Sequence, residues 1–522
     1  MAAIARIRRN TIGDVVHRAA SQHRDKVALS FADRDWSFRD IDAAVGRLAH
    51  ALHRLGLRRG ERVAAYGRNS DTYLLLFLAC ARAGMIHVPV NYALTGAELG
   101  YVLHQSGAAL FIHDTALADQ IGPAREAPLL RHIGCFAGGG GFDVLAIARD
   151  PAIPGEFDTD NADTDIAQIV YTSGTTAAPK GAAMTHQAMI AQYHSCIHGL
   201  GYGPEDRHIA ALPLYHTAQM HAFLMPAFMT GAWQKLLMAP QPELVLAAIE
   251  EHRASSFFAP PTVWIGLLRH ADFDRRDLSS LRRIYYGASI MPVPVLQELR
   301  TRLPGAAPYN CYGQTEIAPV ATILAPADHD ARPGSVGKPV LNVETRVVDL
   351  AMNDVPPGAH GEIVHRSPHL LVGYWEKPDA TEEVFAGGWF HSGDVGTFDA
   401  DGFLYIVDRI KDVINTGGVL VASRDVEEAL FTHPAVSEVA VIALPDPKWI
   451  EAITAVVVLR PGAVADEAAL IAHAAAHLAP FKRPKRIIFA EDLPRNTAGK
   501  LLKRELRRIH AGAAAPWGGA PA

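Results

Sequence analysis

Short apolar runs of strand type alternate with longer stretches of helical spacing through the first part of the chain. Val27–Phe31, Arg62–Tyr66, His87–Val90 and Ala109–His113 read as short buried strands. Between them run segments such as 69–84, with leucine and alanine at helical spacing. Thr11 stands three residues before Asp14, and Ser37 three before Asp40, the spacing of a capping box that opens a helix. Alternation of this kind predicts a mainly parallel sheet with helices on both faces.

Residues 166–320 repeat the pattern. A strand leads into a small-residue loop, a helix starts at about Gln187, and a strand covers 209–213. A helix over 243–253, a strand ending in Phe257 to Thr262 and a strand Arg283–Tyr286 follow. Beyond 321 the character changes. Val343–Leu350, Glu362–Arg366 and Phe403–Asp408 read as strands between Pro/Gly turns, a β-rich subdomain over 321–408. Residues 412–510 predict a small α+β unit: a helix at 424–431, a hairpin of Val436–Leu444 with Ala452–Leu459, a helix near 466–478, a strand at 486–490 and a basic helix at 501–509. Lys503, Arg504, Arg507 and Arg508 read as the solvated face of that last helix. The Ala/Gly/Pro-rich stretch 511–522 reads as disordered.

A chain of 522 residues exceeds one hydrophobic core. The net charge of −6 gives no bulk attraction to nucleic acid. Four scattered cysteines without a CxxC pair read as reduced thiols of a cytoplasmic protein. The N-terminus lacks a secretory apolar region, and the longest apolar runs (Leu74–Ala79 and Ala222–Met229) are too short to span a bilayer.

Candidate chemistry centres on Y-T-S-G-T-T-A-A-P-K-G at 171–181. Ser173, Thr175 and Thr176 bring hydroxyls, Gly174 and Gly181 bracket them, and Lys180 adds a cation. Such a loop can turn backbone N–H groups and hydroxyls toward one polyphosphate. It is not a Walker A loop, because Lys180 precedes the closing glycine and no Ser/Thr follows. Taken alone, an ordinary turn is the plainer reading. Glu316 closes Y-G-Q-T-E and is either a solvated carboxylate or a Mg²⁺ ligand beside phosphate. Asp394 closes W-F-H-S-G-D and is either a turn residue or a ribose ligand. Arg409 follows in D-R-I-K-D, where the plain alternative is a salt bridge. Lys500 ends P-R-N-T-A-G-K just before the last helix, an unfavourable place for a cation unless something calls for it.

Taken in order, the motifs at 171–181, 212–217, 287–289, 312–316, 361–375, 389–394, 408–418 and 494–500 resemble the adenylate-forming superfamily. Its members include acyl-CoA synthetases, aryl-CoA ligases, nonribosomal-peptide adenylation domains and beetle luciferases. The resemblance covers residues 11–508 and implies an α/β fold. A large N-terminal domain, 1–410, would hold two stacked αβ subdomains (about 1–165 and 166–320) and the β-rich 321–408. A small mobile α+β domain, 411–510, would hinge at Lys411.

The resemblance also implies roles. Thr172, Ser173, Gly174, Thr175, Thr176 and Lys180 belong to the loop that holds the ATP phosphates. Gly287, Ala288, Ser289, Tyr312 and Gly313 line the adenine and acyl pocket. Thr315 meets the α-phosphate, Glu316 holds Mg²⁺, and Asp394 with Arg409 takes the ribose. Gly417 and Gly418 join the cofactor-binding set, Lys500 reaches the carboxylate and α-phosphate, and His216 after Tyr215 gates the acyl channel. The implied reaction is an ATP-dependent, AMP-forming ligation of a fatty or other hydrophobic monocarboxylic acid to CoA, through acyl-AMP. The alternatives are an aryl acid, transfer to a carrier-protein thiol, a luciferase-like oxygenase, or a nucleotide-binding protein without catalysis. No acidic residue stands at Tyr215-His216 for an α-amino group, which disfavours an amino-acid substrate. No carrier domain follows Lys500, as expected of a stand-alone ligase, and a homodimer is compatible with the sequence. The chain departs from the family at Ala177, Leu420, Asp425 and Ile450. The last three lie where the family shapes its thioester-forming face.

Overall fold

The structure is a computed structural model, and it describes residues 7–172, 179–289, 291–410, 412–417, 419–496 and 501–510. Ser173, Gly174, Thr175, Thr176, Ala177, Lys411, Gly418, Lys500 and the 511–522 stretch lie outside the described residues. Both capping boxes form. Thr11 opens the helix Ile12–His23 and Ser37 opens Phe38–Arg54, each exchanging hydrogen bonds with the aspartate three residues on. The strands at 27–31, 62–66, 86–90 and 108–113 stand where the apolar runs place them.

Among the described residues, two large mixed sheets carry the N-terminal part. One has eight strands, with Ile166–Thr172, Ile86–Val90, Arg62–Tyr66 and Ala108–His113 as neighbours at its centre. The other has nine, with Ala307–Gly313, Arg283–Gly287, Ser256–Phe258 and Arg207–Ala210 running parallel at its centre. The sequence break near residue 165 does not separate them. Val27–Phe31 and Arg34–Ser37 join the nine-stranded sheet by pairing with Trp233–Leu236, whereas 166–185 joins the eight-stranded one. The reason is burial. The two sheets share one core, with Leu29 and Leu236 from one, Val63 and Leu110 from the other, and the helix Asp71–Ala83 buried at every position. That helix is tied at its start by Asp71, which accepts from Arg34 Nε at 2.7 Å and Trp36 Nε1 at 2.8 Å. A buried charge needs such partners.

A four-stranded antiparallel sheet, Glu344–Val348, Gly361–Arg366, Phe390–Phe398 and Leu404–Arg409, forms the β-rich part. The small domain packs a five-stranded sheet, built on the hairpin Val436–Asp446 with Ile450–Leu459, against the helices Ser423–Phe431 and Glu467–His477. No helix among the described residues is long and apolar enough to cross a membrane.

The phosphate-type loop differs from its sequence reading. The residues on either side of 173–178 form two antiparallel strands, Ile166–Thr172 and Lys180–Thr185, before the helix His186–Leu200 begins. The second arm, K-G-A-A-M-T, has little strand propensity of its own. Pairing with Ile166–Thr172 on one side and with Gly373–Tyr374 on the other makes it a strand.

Several histidines lie inside this fold as neutral groups. Burial pushes His87 and His221 down to about 3, and His186 and His208 down to about 4. The imidazoles are linked in chains: His221 bonds Tyr193 at 2.7 Å and Gln168 at 2.8 Å, and Gln168 bonds His87 at 3.0 Å. Unfolded histidine titrates near 6.5. Between that value and the folded values the unfolded chain binds more protons, so stability falls as pH drops through this window. Thermal unfolding followed from pH 7.5 to 5 should show Tm declining once the pH drops below about 6.5. A flat profile there would contradict the neutral burial of these rings.

Candidate active site

The carboxyl ends of the central parallel strands of the nine-stranded sheet deliver loops to one side, the place where open α/β sheets bind ligands. Gly287 ends the strand Arg283–Gly287, and a Cβ there would stand 2.2 Å from the Cys311 carbonyl, so the close approach of these strands requires glycine. Ala288 follows at φ +62° and Ser289 beside it is exposed. On the next strand Tyr312 is followed by Gly313, where a Cβ would meet the Pro319 carbonyl at 1.9 Å.

Tyr312 donates its hydroxyl to Asp394 Oδ2 at 2.8 Å, and Arg409 Nε pairs with Asp394 Oδ1 at 3.1 Å. Asp394 and Arg409 face each other across the antiparallel strands Phe390–Phe398 and Leu404–Arg409. Asp394 is only 4% exposed. Burial and the neighbouring Asp394 charge push the Tyr312 phenol well above its ordinary value, so it remains a donor. Ala288, Ser289, Tyr312, Gly313, Asp394 and Arg409 thus line one cavity of about 420 Å³. Its far wall comes from the small domain and includes Glu427, Lys503 and Arg507.

Beyond Gly313 the chain makes one short turn, Thr315–Ile317. Thr315 Oγ1 lies 3.4 Å from Thr217 Oγ1, which brings the L-P-L-Y-H-T segment beside it. In that segment the Tyr215 and His216 rings pack at 4.7 Å. Glu316 Oε1 accepts from the Tyr374 hydroxyl at 3.1 Å, and the Lys180 ammonium sits 5.0 Å from the Tyr374 ring centroid. Tyr374 therefore joins the hairpin arm to Y-G-Q-T-E. Its phenol is held far above the ordinary range by burial and by the Glu316 charge. Thr172 Oγ1 donates to the Lys180 carbonyl at 3.4 Å, joining the two strands that flank 173–178. The motif at 361–375 contains Tyr374, but nothing local marks it out, because Gly373-Tyr374 carries no charge pattern. Only the pairing of that segment with Lys180–Thr185 brings its ring to Glu316.

Gly417 lies elsewhere. It sits in the small domain with its N–H on the Trp449 carbonyl at 2.6 Å, and it does not line this cavity. The basic helix also differs from its sequence reading. Lys503 and Arg507 do not form a solvated face: Lys503 Nζ pairs with Glu427 at 2.8 Å and Arg507 with Asp412 at 2.5 Å. Burial lowers the Lys503 pKa, but Glu427, Asp408 and Asp412 outweigh it and hold the group above its ordinary value. Only contacts distant in sequence reveal this, because a lysine-arginine helix looks the same whether its partners are water or carboxylates.

The donors around Glu316 suit a hard cation. One half-buried carboxylate stands among hydroxyls, and among the described residues no three His, Cys, Asp or Glu side chains could close a metal cage. Mg²⁺ fits such a place, because it takes one or two carboxylates and completes its shell with phosphate and water.

Comparison with known proteins agrees with this geometry. Residues 16–375 match the AMP-binding enzyme family and residues 425–500 match the AMP-binding enzyme C-terminal domain. A feruloyl-CoA synthase of Amycolatopsis sp is 35% identical over 502 residues, covering 96% of this chain and 99% of the relative. An indoleacetate–CoA ligase of Aromatoleum aromaticum is 31% identical, covering 96% of this chain and 98% of the relative. Among solved structures, the anthranilate CoA ligase AuaEII in complex with anthranoyl-AMP superposes with a TM-score of 0.91 at 29% identity, covering 97% of this chain and 98% of that one. ATP-bound MatB from Rhodopseudomonas palustris superposes with a TM-score of 0.89 at 30% identity, covering 96% of this chain and 100% of that one. With the family matched across most of its length, the chain belongs to the AMP-binding enzymes, the adenylate-forming superfamily that its motifs resemble.

Proposed function

We propose that the protein is an AMP-forming carboxylic acid–CoA ligase acting on a hydrophobic monocarboxylic acid. The observation that carries this reading is the single cavity that gathers Ala288, Ser289, Tyr312, Asp394 and Arg409, with Thr315 and Glu316 one turn away. Asp394 is poised to take the ribose hydroxyls, and Tyr312 and Arg409 fix its orientation. The hydroxyls of 172–176 and the Lys180 ammonium serve the phosphates. Glu316, oriented by Tyr374, would hold Mg²⁺, which supplies charge neutralisation on the phosphate oxygens. By the superfamily resemblance, His216 would gate the acyl channel and Lys411 would serve as the hinge.

A carboxylate is a poor acyl donor, because its charge repels nucleophiles and oxide is a poor leaving group. Attack of its oxygen on the α-phosphorus of ATP forms the acyl–phosphate bond and releases pyrophosphate. Thr315 and Lys500 stabilise the charge that builds on the α-phosphate oxygens. The CoA thiolate then attacks the acyl carbon, and AMP leaves. The relatives include a feruloyl-CoA synthase at 35% identity and fatty-acid–CoA ligases at 31% and 33%, which supports the hydrophobic class with both aryl and alkyl acids as candidates.

Three measurements test the reading. Pyrophosphate release across a panel of aryl and alkyl acids should require an acid, and thioester should form only when CoA is added; no release with any acid would end the proposal. Lys500→Ala should slow adenylation by at least ~10²-fold and spare thioester formation from supplied acyl-AMP. Equal loss in both half-reactions would reject its role. Tyr374→Phe should raise the Mg²⁺ concentration for half-maximal pyrophosphate release about 10-fold, as expected when the partner of a metal ligand is lost. An unchanged Mg²⁺ dependence would remove Tyr374 from that role.

A further inference from the structure

On the hinge side of the cavity, a chain of buried polar groups crosses from the large domain to the small one. Asp408 lies in the strand Leu404–Arg409 and is 7% exposed. Its Oδ2 accepts from the Ser423 backbone N at 2.6 Å and from Ser423 Oγ at 2.7 Å. Ser423 is the first residue of the helix Ser423–Phe431 and is fully buried. Asp408 therefore caps, from the other domain, a helix whose preceding residue, Ala422, makes no capping bond of its own. The carboxylate also faces the positive end of the helix. Ser423 Oγ in turn accepts from Lys503 Nζ at 2.6 Å, and that ammonium pairs with Glu427. One residue on, the Arg424 guanidinium donates to the Ile406 carbonyl.

These contacts fall into two sets. Lys503–Glu427 and Arg507–Asp412 join residues on the same side of position 411, so they move together in any rotation about it. Asp408–Ser423 and Ile406–Arg424 cross that position. A rotation of the small domain has to break them and return a buried carboxylate to water.

In this orientation Leu493, Arg495 and Asn496, which lead toward Lys500 in sequence, line the same cavity as Asp394 and Arg409. On that ground we propose that Asp408 and Ser423 form a clasp that holds the small domain in its first-step orientation, so that Ser423 is a positioning residue for adenylation. This rests on the two-step ligase reading. Lys503 supports the clasp by orienting the Ser423 hydroxyl, and Glu427 keeps Lys503 in place. A hydrogen bond to a charged group is worth enough to shift such an equilibrium about 10-fold.

Ser423→Pro isolates the contact. Proline is well tolerated at the first position of a helix, and it removes both the N–H and the hydroxyl. Ala422 already has φ −69° and ψ 126°, the extended conformation that a residue before proline prefers. The purified full chain is assayed in two halves: acid-dependent ATP–pyrophosphate exchange, and thioester formation from supplied acyl-AMP and CoA. The clasp predicts that exchange falls about 10-fold in Ser423→Pro while thioester formation holds or rises. Ser423→Ala, which keeps the N–H, should shift the same ratio less, and it serves as the test if the proline variant folds poorly. Equal change in both halves, or no change in either, overturns the clasp. Absence of exchange in the wild-type chain with every acid would instead sink the ligase reading itself.

Discussion

A buried carboxylate holds the candidate site together. Asp394 receives Tyr312 from the nine-stranded sheet and Arg409 from the last strand before the small domain. A strand pair of the β-rich part and a strand 82 residues earlier in the chain are thereby fixed around one cavity wall. A buried carboxylate without such donors would be costly, so the partners are needed for stability whatever the ligand. The same bonds orient the group toward whatever hydroxyls enter. Folding and preorganisation are served by one set of contacts.

The other half of the site depends on backbone pairing. The arm Lys180–Thr185 is a strand because it is held on both edges, by Ile166–Thr172 and by Gly373–Tyr374. That pairing brings Tyr374 to Glu316 and under Lys180. A carboxylate and an ammonium close to one another would tend to pair directly; here a phenol stands between them. Each keeps its own direction, as the proposed phosphate and divalent-cation site requires.

The polar groups at the domain boundary follow a different logic. Lys503 is surrounded by Glu427, Asp408 and Asp412, so its charge is retained despite burial. Such networks are stable when complete and costly when broken. Rotation of one domain against the other would break the bonds that cross position 411 and leave those within one domain intact.

The alternation of strands and helices, both capping boxes, the α/β class and the superfamily were legible in the residues before any fold was known. These depend on local signals: apolar period, Ser/Thr–Asp spacing, and motifs whose order is preserved along the chain. Tertiary structure alone decided that 27–37 pairs into the sheet of the later strands, and that K-G-A-A-M-T is a strand. It also decided that Tyr374 serves Glu316 and that Lys503 and Arg507 face carboxylates instead of water. Each of these depends on a partner far away in the chain. A single residue's type gives its chemistry, but burial and the neighbour that satisfies it are properties of the folded arrangement.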